Sequence, residues 1–196
     1  MRYTIKDIKA LSLINPRKYP KPSKKYLKKV KPGAIVKLIL ELSYEKIFSK
    51  KVKSDYYVLV YVISCRDSEL RGIINYCDKE KMLIGNNIKF TYDNILFVYD
   101  NRNKLIDVKK YASISHRALE NKEINWVFKN TSIDEKDSGW QLFYGDEDSE
   151  YILNSSNIQK ISIMEALRKE PLLEYVFTEK IENAEYSSRL NKFLVI

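Results

Sequence analysis

The sequence predicts an α+β fold of two small units, an antiparallel β-rich first half with short helices and an α+β second half. Three observations lead there. The hydrophobic period changes from helical to extended near residue 34 and becomes mixed again after residue 110. Charge changes sign: residues 1–110 carry 25 Lys and Arg against 11 Asp and Glu, a net of +14, whereas residues 111–196 carry 10 against 15, a net of −5. Between the two lies the polar, turn-rich stretch Tyr99-Asp100-Asn101-Arg102-Asn103-Lys104, so the boundary is expected near residue 108, with units over 1–108 and 109–196.

In chain order, Thr4-Ile5-Lys6-Asp7 has the form of a capping box, and Ile5, Ile8 and Leu11 share one helical face, which predicts a short amphipathic helix. Pro16, Pro20 and Pro22 interrupt regular structure. Ser23 is placed to cap a second short helix with Tyr26, Leu27 and Val30 inward, ended by Pro32-Gly33. Strands are expected at Ala34–Leu42, Tyr56–Ser64, Arg71–Tyr76, Ile88–Thr91 and Ile95–Tyr99, all rich in β-branched and aromatic residues. Gly72, inside a strand pattern, predicts a bulge or a close backbone approach.

In the second half a helical turn is expected at Ile114–Ala118 and a strand at Ile124–Phe128. A loop follows over 130–139. Trp140-Gln141-Leu142-Phe143-Tyr144 alternates, which puts Trp140, Leu142 and Tyr144 on one side of a strand and makes Trp140 a core anchor. Gly145-Asp146 suits a turn. Ser162-x-x-Glu165 is a second capping box, opening a helix that Pro171 ends.

The longest apolar run, Tyr56 to Ile63, falls short of the ~20 residues of a membrane helix, and charges interrupt the N-terminal residues where a secretory signal would be apolar. A cytoplasmic location without membrane association is expected. Cys65 and Cys77 lie in strand-like surroundings with no CxxC pattern, which predicts packed, reduced thiols and no metal. No cofactor motif is present: no Gly-rich loop follows a strand and opens a helix.

The chemistry-bearing stretch is Asp137 to Ile152, with the carboxylates Asp137, Asp146, Glu147, Asp148 and Glu150 and no base. An enzyme would use such acids as acid, base or metal ligand. The supporting groups are missing: His116 is the one histidine, and no Ser or Cys sits in a nucleophile motif. Residues 146–150 also lack the alternating ligands and central glycine of a calcium loop. Asp137, Ser138, Gly139, Trp140 and Gly145 are natural builders of turns and core. Two explanations remain for Asp146, Glu147, Asp148 and Glu150: a solvated acidic face, or a docking surface for a basic partner. On either, changing Glu147, Asp148 and Glu150 to Lys is expected to leave the fold intact.

Asp137-Ser138-Gly139-Trp140, then Gly145-Asp146-Glu147, Tyr151, Asn157-Ile158 and Pro171 resemble the immunity protein thirty-three family, a former domain of unknown function. The resemblance covers about residues 111–193 and begins with Ser113-Ile114-Ser115-His116-Arg117. It implies a protein of bacterial polymorphic toxin systems that binds and neutralises a cognate toxin without catalysis. Val127-Phe128-Lys129 stands where the family often has Tyr-Arg-Glu. In the first half, residues 31–37, 57–62, 72–75 and 85–90 resemble another small bacterial domain of unknown function, which implies a β-rich unit and no chemistry.

The first forty residues hold twelve Lys and Arg against one acid, Asp7, with Tyr19 and Tyr26 among them. This supports an alternative, a nucleic-acid-associated module that contacts phosphates and stacks bases. The lysines do not form one stripe, and a solvated basic surface explains them as well.

Overall fold

The computed structural model describes residues 2–45, 51–99 and 106–196. They fall into two compact units, residues 1–103 and 104–196. The division precedes the expected boundary at 108 because Ile106 and Val108 pack against the core of the second unit.

The first unit is built on β1 (Arg2–Ile5), β2 (Ile35–Glu45), β3 (Lys51–Arg66), β4 (Glu69–Cys77), β5 (Asn87–Thr91) and β6 (Phe97–Tyr99). They form one antiparallel sheet in the order β1-β2-β3-β4-β5, with β6 also on β2. β1 and β6 share one edge of β2, at residues 40–43 and 35–37 respectively. Val36, Leu38, Leu40 and Leu42 alternate into the main core with Val58, Val60, Val62, Leu70 and Ile74. Tyr26 and Leu27 of α2 (Lys24–Leu27) pack against that core. Ile39, between them in sequence, packs with Ile8 of α1 (Ile8–Ile14) and Leu96 in a separate cluster, as the period of two requires. Gly72 pairs with Val62 beside a register shift, and a Cβ there would lie 2.5 Å from the Tyr61 carbonyl oxygen. Cys77 is buried and Cys65 half-buried, both free thiols, and burial pushes the Cys65 thiol above its ordinary value.

The expected capping box at Thr4 is corrected. Thr4 and Ile5 belong to β1, paired with Glu41 and Leu40. Asp7 caps the helix instead, its Oδ1 accepting from the Ala10 amide at 2.9 Å. Ladder pairing with β2 outweighs the local helical pattern, which a four-residue window cannot reveal.

The second unit contains β7 (Tyr111–Ser115), α3 (His116–Asn121), β8 (Trp126–Lys129), β9 (Asp137–Phe143), α4 (Ser149–Leu153), β10 (Ile158–Ser162), α5 (Ile163–Lys169), α6 (Leu173–Thr178), β11 (Asn183–Ser187) and β12 (Lys192–Val195). Its sheet has the order β10-β7-β9-β8-β11-β12, and β7 and β9 are the parallel pair. Parallel neighbours need a crossover; α3 and β8 supply it. Ala112, Ile114, Val127, Trp140 and Leu142 point from the sheet into one core with Ile163, Ala166, Leu167, Leu173, Val176 and Phe177 of α5 and α6. Trp126 and Phe143, paired across β8 and β9, stack at 4.9 Å between ring centroids. Ser162 caps α5, accepting from the Glu165 amide at 3.1 Å. The helical turn expected at Ile114 starts two residues later, because 111–115 are the strand that Asp137–Phe143 and Ile158–Ser162 flank.

Candidate functional site

β9 separates the motif-rich stretch into two places. Asp137-Ser138-Gly139-Trp140 begin the strand, whereas Gly145 to Tyr151 follow its end, about 20 Å away for a seven-residue strand. The acids of the stretch are therefore not one cluster.

The first place is a bulge. Tyr111 pairs with Asp137 and Ser113 with Gln141, so β9 carries extra residues against β7. The Asp137 carboxylate, 5% exposed, shapes it: Oδ1 accepts from the Gly139 amide and Oδ2 from the Ile133 amide, each at 2.8 Å. Ser138 Oγ accepts from the Trp140 amide at 3.2 Å. Gly139 has φ +74°, and a Cβ there would lie 2.3 Å from the Asn130 carbonyl oxygen, so only glycine fits. Trp140, 7% exposed, lies 4.7 Å from the Phe177 ring, and Lys129 Nζ sits 4.7 Å from the Trp140 centroid. Asp137, Ser138, Gly139 and Trp140 thus shape the bulge and its packing.

At the second place, a loop is clasped to the start of α3. Glu147 Oε1 accepts from the Tyr144 amide at 2.8 Å and from the Ser115 hydroxyl, while Oε2 accepts from the Gly145 amide at 2.7 Å. Burial pushes the Glu147 carboxyl up, but the Ser115, Gly145 and Tyr144 donors prevail and hold it below its ordinary value. Arg117 bonds Asp146 twice, through Oδ1 and the carbonyl oxygen, each at 3.1 Å, and its guanidinium lies 4.4 Å from the Tyr151 ring centroid. Its amide donates to the Tyr151 hydroxyl at 3.3 Å. The Asp146 hydrogen bond raises Arg117 above its ordinary value. Asp148 caps α4, accepting from the Tyr151 amide at 2.8 Å. Glu150 is exposed in the first turn of α4. Glu147 and Asp148 were expected to change to Lys without cost to the fold; their bonds give both a structural role, because turn and helix-cap amides must find acceptors and these two carboxylates supply them.

Residues 112–194 match the Immunity protein Imm33 domain. The match spans nearly all of the second unit and none of the first. No curated protein matches the chain. The clasp joins the two ends of the resemblance seen in the sequence, Ser115 and Arg117 on one side and Asp146, Glu147 and Tyr151 on the other, all within the matched residues.

Ser115 was legible only as a turn residue in sequence; it is both the cap of α3, accepting from the Ala118 amide at 3.1 Å, and a donor to Glu147. Lys110 and Lys129 carried no sequence signal, although Lys129 lies in the stretch that departs from the family pattern. His116 opens α3. Among the described residues no group of three or more His, Cys, Asp or Glu is arranged to hold a metal ion, and no helix is long and apolar enough to cross a membrane.

Proposed function

We propose that this chain is an immunity protein that binds one cognate protein toxin in the bacterial cytoplasm and blocks it without turnover. The match of residues 112–194 to an immunity protein domain carries the reading and supports an immunity function in toxin systems. The clasped loop is the proposed contact. Glu147 holds the loop from inside, so that Asp146, Asp148 and Glu150, all exposed, are presented on a fixed backbone. Pre-ordering lowers the entropy lost on binding, and the acidic field steers a basic surface toward it. Toxins that act on nucleic acids are basic where they grip phosphate, which makes such a groove the fitting target for carboxylates.

The test is co-expression with a candidate toxin, sought among any large secreted proteins with variable C-terminal domains that prove to be encoded near this chain. Asp146→Lys with Glu150→Lys is expected to abolish protection while the protein stays folded. A folded double variant that protects like the parent would remove the acidic loop from the contact.

The alternative, a nucleic-acid module in the basic first half, gains no specific support from the geometry. Lys29 Nζ lies 5.0 Å from the Tyr26 centroid and Lys18 Nζ 5.6 Å from that of Tyr19. Both rings meet the chain's own lysines, and Tyr26 also packs against the core.

A further inference from the structure

At the opposite end of β9 from the clasped loop, the second unit contains a cleft of about 250 Å³. Lys110, Lys129, Lys180, Ser138, Trp140 and Phe177 are among its lining residues. Its lining carries three lysines against one acid, Asp107, although residues 111–196 as a whole are net negative.

The lysines are arranged around the DSGW bulge. Lys110 Nζ donates to the Asp137 carbonyl oxygen at 3.3 Å, and Lys129 Nζ donates to the next carbonyl, that of Ser138. Two ammonium groups therefore sit on consecutive peptide oxygens. Each has three donors, and neither has a carboxylate within ion-pair distance among the described residues. Asp137 is close, but its two oxygens are bonded to the Ile133 and Gly139 amides. Asp107 also lines the cleft; its Oδ1 accepts from the Lys109 amide at 3.1 Å. Burial, and then the Lys110 charge, push the Lys129 ammonium below its ordinary value, against the opposing fields of Asp137 and Glu182. Lys110 and Lys129 are both half-buried, and two cations placed this close repel one another unless an anion lies between them.

We propose that this cleft is an oxyanion-binding site, in which Lys110 and Lys129 hold a phosphate or carboxylate group with Lys180 at the rim. The Ser138 hydroxyl, whose oxygen already accepts from the Trp140 amide, keeps its proton for the same ligand. The volume lies below the range of about 300–1,000 Å³ for drug-sized ligands, which restricts the occupant to the anion and a small attached group. Trp140 and Phe177 form its apolar wall.

The site is independent of the toxin-docking loop, and its test needs no toxin. Inorganic phosphate and succinate are titrated separately into the full chain at constant ionic strength, and the amide signals of Ser138, Gly139 and Trp140 are followed by NMR. Saturable shifts with at least one of them are expected, and the tighter binder identifies which oxyanion the cleft prefers. Lys110→Gln with Lys180→Gln leaves the Lys129 contact with Trp140 in place and is expected to weaken binding roughly ten-fold. The melting temperature of this variant should stay near that of the parent. No saturable shift with either anion, or shifts unchanged in the double variant, would overturn the proposal.

Discussion

Replacing Glu147 with Gln removes one charge and one acceptor from a side chain of nearly the same shape, which makes it a sharp test of the clasp. Three donors converge on the wild-type carboxylate, the Ser115 hydroxyl and the Tyr144 and Gly145 amides. A glutamine keeps one oxygen and turns an N–H toward at least one of those donors. Hydrogen bonds to a charged acceptor contribute about 1.5–3 kcal/mol each. Glu147 is only half-buried and Gly145 is exposed, so water replaces part of the loss. The expected cost is about 2 kcal/mol for Glu147→Gln and about 3 kcal/mol for Glu147→Lys, which also places a cation beside Arg117. In a unit of this size each kcal/mol lowers the melting temperature by about 4–8 °C. Thermal and urea unfolding followed by circular dichroism measure it, with Glu150→Lys as the exposed control expected within about 0.5 kcal/mol of the parent. The pH dependence has a fixed sign: a carboxyl held below its ordinary value of 4.5 in the fold stabilises fully above that pH, and the contribution fades as pH falls through the lowered value. A Glu147→Gln protein that melts with the parent at pH 7 would refute the clasp.

Trp140→Ala should destabilise the second unit by about 3–5 kcal/mol, since it empties the space against Phe177 and bares Lys129; unchanged urea unfolding would count against a packed indole. Gly139→Ala should cost at least about 2 kcal/mol from its positive φ and the approach of the Asn130 carbonyl, and a variant as stable as the parent would contradict the bulge geometry. Residues 104–196 expressed alone are proposed to fold as an independent unit, because their core shares no residue with the clusters of the first unit; a fragment without a cooperative thermal transition would reject that.

The parts of the fold that were legible in the sequence are those where several signals agree. The strands of the first unit carry long β-branched alternation, and the Ser162 cap precedes an amphipathic helix. Trp140 sits in an alternating segment whose inward side continues to Leu142. β1 was hidden because four residues fit a helix cap as well as a strand, and only pairing with Leu40–Ser43 decides. β7, β10, β11 and β12 are four or five residues long, too short for a period to declare itself, and the parallel β7–β9 pairing is a tertiary property. Within the candidate site, the turn chemistry of Asp137-Ser138-Gly139 was readable from residue type. The role of Glu147 was not, because an acid among acids looks solvated until the positions of the Tyr144 and Gly145 amides are known. Lys110 and Lys129 lie nineteen positions apart, and only the carbonyls of the bulge bring their ammonium groups together.

Calorimetric titration of the purified full chain with a toxin domain from which it protects cells tests the central claim most directly. A saturable one-to-one complex is predicted, weakened as salt rises and lost in the folded Asp146→Lys, Glu150→Lys variant. Absence of binding by the parent protein to a toxin from which it protects cells would contradict neutralisation by stoichiometric contact.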